Sequence, residues 1–167
     1  MNFGYLKAFQ DLKKLYDYCL DVEEFVYSKP SISATSARKA MEYMVKMIYN
    51  SVVDQDTYLS VFEMVTDARF INYVNDEVLL NTIHYIRKMG NIAVHEGDLS
   101  KEEALTVLEE LHFLVGEFCI LLGIVDDYPE FSEPRNVIST THIIQNEKEK
   151  AEDSSNKIGR ASCRERV

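Results

Sequence analysis

Apolar residues spaced three and four positions apart recur along most of this chain, and that spacing commits it to amphipathic helices packed against one another. Phe9, Leu12, Leu15, Tyr16, Cys19, Val22 and Val26 mark one such face, so a helix is expected over residues 9–26, ended by Ser28, Lys29 and Pro30. A second is expected to start near Ser33 or Ser36, either of which can cap it, and to reach Ser51 with Ala37, Met41, Met44, Val45 and Ile48 inward. Asp54 to Asp56 read as a turn, a short helix follows over residues 57–65, and residues 66–73 are ambiguous. Asn75 or Asp76 can cap the next helix, whose Leu79, Ile83, Ile86, Gly90 and Val94 keep the same step until Gly97 closes it. Ser100 and Glu103 have capping-box spacing before a helix that runs through Leu111 and Phe118 to Gly123.

The expected core gathers Leu15, Met41, Ile48, Ile83, Ile86, Leu111 and Phe118. Strand-like alternation of useful length is missing, so the fold class is all-α, a helical bundle over residues 1–134. After Pro129 and Pro134 the apolar density falls. Residues 135–156, ending in QNEKEKAEDSSN, read as a disordered, solvated linker.

Charge narrows the functional classes. With 28 acidic and 18 basic residues the net charge is -10, the reverse of the basic footprint that nonspecific nucleic-acid binding needs. The longest apolar stretch, residues 107–125, contains Glu109, Glu110, His112 and Glu117, each costly at the centre of a bilayer, so no membrane association is expected. Residues 1–6 lack the charged-then-apolar pattern of a secretory signal. The odd count of Cys19, Cys119 and Cys163, without CxxC pairing, fits reduced thiols and a cytoplasmic location. No metal-ligand spacing is present.

The last eleven residues, KIGRASCRERV (157–167), have no apolar period and resemble, residue for residue, a translated short-read sequencing adapter. Such an artefact carries no information about the fold. Without Lys157, Arg160, Arg164, Arg166 and Glu165 the counts become 14 basic and 27 acidic, a net charge of -13. The natural polypeptide is then expected to continue beyond Asn156.

One helix carries the residues with the most chemistry. In IRKMGNIAVHEG (residues 86–97), Arg87, Asn91 and His95 fall on one stripe at about 100° per residue, beside the apolar face of Ile83, Ile86, Gly90 and Val94. Glycine costs about 1 kcal/mol relative to alanine inside a helix, so Gly90 signals close approach of another backbone. Arg38 and Glu42, four apart on the flank of the second helix, are expected to meet this stripe. Together, Arg38, Glu42, Arg87, Asn91 and His95 are read as a half-buried structural polar cluster, in which His95→Ala would cost about 1–3 kcal/mol. His84 is read as a flank residue, and His112 as exposed, because an amphipathic helix usually turns such a residue outward.

The pair SARKAMEYMVKMIY (residues 36–49) and IRKMGNIAVHEG, with NFGYLK (residues 2–7) and VEEFVYSKP (residues 22–30), resembles the helical domain of unknown function that often begins type I restriction endonuclease R subunits and related DEAD/DEAH-box helicases. The resemblance covers residues 2–134 and is most specific at GNIAVH. More distantly the family is similar to the HEPN bundles, many of which are ribonucleases with the pattern R-N-x-x-x-H. It implies an HEPN-like bundle acting as a non-catalytic interaction or scaffolding module for DNA restriction and defence. The implied partners are the methylation and specificity subunits, with DNA engaged through downstream domains. The fragment itself would need no cofactor; ATP and Mg would belong to a full-length parent acting as a site-specific deoxyribonuclease and ATP-dependent helicase.

The rival reading is a metal-independent ribonuclease using Arg87, Asn91 and His95, with histidine moving a proton and arginine steadying phosphate charge. Asn91 and His95 match the last two positions of the HEPN pattern, but Gly90 stands where its arginine belongs. Arg87 lies two turns before His95, roughly 12 Å along the axis. A third reading is a free-standing helical binding protein. No P-loop or nucleophile elbow is present, so no catalytic residue is assigned to this chain.

Overall fold

The computed structural model describes residues 1–53, 58–95, 97 and 99–135. Among them the regular structure is entirely helical. Two short 3-10 turns, Gly4–Ala8 and Gln10–Leu12, lead into α1 (Lys13–Phe25). Then come α2 (Pro30–Val53), α3 (Val61–Thr66), α4 (Ala68–Val74), α5 (Glu77–His95) and α6 (Lys101–Leu121). Residues Met1–Pro134 form one compact unit and Arg135–Val167 a second, of which only Arg135 is described. The expected linker and the adapter-like tail, Cys163 included, otherwise lie outside the described residues, as do Asp54 to Thr57.

The long helices follow the apolar period, except that Val94, expected on the inward face of α5, is exposed, and α2 is their hub, packing on all five others. All seven residues expected in the core are fully buried. Two start signals work differently from expectation. Helix α2 begins at Pro30, whose missing N–H costs nothing in a first turn. Ser33 and Ser36 are therefore interior and buried, and Ser33 Oγ donates to the Val22 carbonyl of α1 at 2.9 Å rather than capping its own helix. Such small side chains let α1 and α2 sit close.

The short helices depend on caps. Ser60 and Glu63 form a capping box at α3. Asp67 accepts from the Arg69 N–H at the start of α4, resolving the ambiguous segment as helix. Asn75 ends α4 in the left-handed region at φ 47°, leaving Asp76 to accept from Val78 and Leu79 at the start of α5. At α6 the expected box is present: the Glu103 N–H donates to Ser100 Oγ at 3.1 Å and the Ser100 N–H to Glu103 Oε2 at 2.8 Å. Gly97 and Gly123, with φ of 78° and 66°, follow α5 and α6, at left-handed positions where glycine carries no Cβ penalty. No helix among the described residues is long and apolar enough to cross a membrane.

Candidate functional site

Helices α2 and α5 meet along the expected flanks, and Gly90 is what lets them do so. A Cβ built on Gly90 would lie 2.5 Å from Arg38 Cβ and 2.9 Å from Arg38 Cδ. The close approach inferred from this glycine is therefore real, although it is the stem of a side chain, not backbone, that fills the gap. Arg38 then extends along α2, and its Nε donates to Glu42 Oε1 at 2.8 Å. These side chains remain 33% and 26% exposed, so the pair is worth only a few tenths of a kcal/mol and mainly orients the guanidinium.

Beyond this contact opens a cleft of about 260 Å³. Arg38, Glu42 and Lys46 of α2 face Arg87 and Asn91 of α5 across it, and Leu59, Ser60, Val61 and Phe62 close one side. The Arg87 guanidinium lies over the Phe62 ring, 5.3 Å from its centroid. Its Nε is buried with no hydrogen-bond partner among the described residues. Four of the five residues of the expected cluster thus share one cavity.

His95 does not join them. It sits at the C-terminal end of α5, is exposed, and is not among the residues lining the cleft. The half-buried position expected for it is corrected on this point: α2 still runs beside this end of α5, where Ser31 Oγ donates to the Gly97 carbonyl, but at about 100° per residue His95 is turned well away from the Gly90 side that meets Arg38. Among the described lining residues there is no imidazole to move a proton, and Glu42, the carboxylate on the wall, is held by Arg38. The histidine to which the ribonuclease reading gives the proton transfer is thus not among the described residues lining the cleft.

The exposure expected of His112 is also overturned: it is 3% exposed. Phe3, Tyr128 and Phe131 surround its ring at centroid distances of 5.7, 5.4 and 5.6 Å. Its Nε2 is buried without a partner among the described residues, and burial pushes its pKa down, opposed by Glu23 and the Pro129 backbone. Gly116, one turn along α6, leaves room for the Tyr128 ring, which a Cβ there would meet at 2.5 Å. Asn2 fastens the same region, donating from its backbone to Glu23 at 2.7 Å and exchanging hydrogen bonds with the Ser132 backbone. Cys19 and Cys119 are buried free thiols whose pKa values burial raises, that of Cys119 to about 11, which keeps them unreactive.

A third polar group, unmarked in the sequence reading, joins α2 to α4. The Tyr49 hydroxyl donates to Asp67 Oδ2 at 2.8 Å, and Arg69 donates to both Asp67 oxygens and to the Tyr49 hydroxyl. The Arg69 hydrogen bonds hold the Asp67 carboxyl well below the usual range. The only advance signal was Asp67 two residues before Arg69 at a helix start, too common a pattern to single out. No group of three or more His, Cys, Asp or Glu able to hold a metal occurs among the described residues. Comparison with family models, curated proteins and solved structures found no match.

Proposed function

We propose that this chain is the N-terminal, non-catalytic interaction module of a type I restriction endonuclease R subunit, built as an HEPN-like bundle. The observation that carries the non-catalytic part is the division of the stripe. Arg87 and Asn91 face the cleft, whereas His95 stands exposed outside it. The restriction context is supported by the resemblance of residues 36–49 and 86–97. In that context the module serves assembly with the methylation and specificity subunits, or regulates a motor encoded downstream. DNA, ATP and Mg are engaged by the parent's other domains, and the setting is cytoplasmic. An acidic chain that does not itself seek DNA suits such a role.

Two experiments test this reading. Long-read sequencing across the locus is expected to carry the frame past Asn156 into a nuclease domain and then a P-loop with a DEAD/DEAH-type motif. Size-exclusion chromatography of the chain mixed with the methylation and specificity subunits from the same locus is expected to show a joint peak. A stop codon shortly after Asn156 with no helicase in frame would reject it in favour of a free-standing binding protein.

A further inference from the structure

The α2–α5 cleft has a chemistry at odds with the rest of the chain. Among the described residues, its lining carries three cations, Arg38, Lys46 and Arg87, against one carboxylate, Glu42, whereas the whole chain has ten more acidic than basic residues. Glu63, on the neighbouring α3, is committed to the Ser60 N–H and hydroxyl. Arg38 spends its Nε on Glu42, which leaves the outer nitrogens of its guanidinium available. Arg87 makes no ion pair among the described residues; its guanidinium lies over the Phe62 ring instead. Three cations gathered around a cavity repel one another, and that repulsion is relieved when an anion enters.

We infer that this cleft binds the phosphate group of a small phosphate monoester. The charge of the described lining residues, two positive in excess, matches a phosphate near its dianionic state at neutral pH. Arginine offers paired N–H donors to such oxygens, and Lys46 adds a mobile point charge at the exposed rim. Leu59, Val61 and the half-exposed Phe62 form an apolar side against which the organic part of the ester can lie, and Asn91 supplies an amide for a polar atom on it. A volume of about 260 Å³ suits a ligand of this size, smaller than a dinucleotide cofactor. The inference is independent of the restriction-module reading, since it rests on the cleft alone.

The test is calorimetric titration of the full chain with adenosine monophosphate, inorganic phosphate and succinate at low ionic strength, where screening is weak. Saturable one-to-one binding of adenosine monophosphate is expected, tighter than that of inorganic phosphate, and with little binding of succinate. Arg87→Gln should weaken it at least tenfold. Lys46→Gln, at an exposed position that no packing depends on, should weaken it severalfold with an unchanged circular dichroism spectrum. Absence of saturation at millimolar ligand would overturn the proposal. So would succinate binding as well as the phosphate ester, or an affinity unaltered by Lys46→Gln and Arg87→Gln. Inorganic phosphate binding as tightly as the ester would overturn the role given to the apolar side. Single-stranded RNA that binds more tightly than the monophosphate and ignores both substitutions would point to a different surface and overturn the site.

Discussion

Gly90 and His95 lie five residues apart on one helix and have opposite sensitivities. At Gly90 a new Cβ would strike Arg38 Cβ, an atom that cannot move without its backbone. Overpacking costs about 1–3 kcal/mol, and alanine's better helix propensity returns roughly 1 kcal/mol. Gly90→Ala is therefore expected to lower stability by up to about 2 kcal/mol, read as a lower urea midpoint with an unchanged slope; a more stable variant would refute the interlock. At His95 the side chain is exposed, so His95→Ala should change stability by no more than about 0.5 kcal/mol. A loss above 1 kcal/mol in the same titration would show that the imidazole has a buried partner. The meeting of Arg38 and Gly90 was legible in the sequence because a glycine inside an amphipathic helix has few explanations other than close contact. The fate of His95 was not, since helical spacing gives an angle around the axis and says nothing of how wide an arc of the helix its neighbours cover.

Each helix announces its inward face through its apolar period, but its ends are set by chemistry of several kinds. Ser100 with Glu103 and Ser60 with Glu63 are both capping boxes, one before a helix of 21 residues and the other before one of six. Only the first was read in advance, because a long periodic run follows it. A six-residue helix is too short to hold itself together, so α3 needs its cap and its packing on α2. Ser100→Ala is expected to cost about 0.5–2 kcal/mol in thermal or urea unfolding, and Ser100→Gly only a few tenths. Equal losses for the two would argue against the cap as the cause. Ser33 was misread as a cap for the converse reason. Its partner, the Val22 carbonyl, belongs to another helix and becomes visible only when α1 and α2 pack.

At the scale of the whole unit, the buried face of His112 depends on Phe3 at one end of the sequence and on Tyr128 and Phe131 at the other, contacts that no local periodicity encodes. Burial lowers its folded pKa beneath the usual 6.5. Above that value both folded and unfolded chains hold it neutral. As the pH falls below 6.5 the unfolded chain takes the proton first, so stability should decline from there down to the folded pKa, by at most about 1.4 kcal/mol per pH unit for one proton. His112→Leu should abolish the part of the decline that sets in just below pH 6.5; a slope unchanged by the substitution would place its origin elsewhere. The acidic groups Glu63 and Asp67, with lowered pKa values, act in a separate and lower window, stabilising above the usual carboxylate range and losing that effect as acid protonates them. The central claim, that a stripe able to suggest a ribonuclease is divided between a binding cleft and an exposed helix end, has a direct test in RNA cleavage without metal. Incubating single-stranded RNA with the full chain and with His95→Ala in chelator should give intact RNA in both cases. Cleavage by the native chain that vanishes in a folded His95→Ala variant would contradict it.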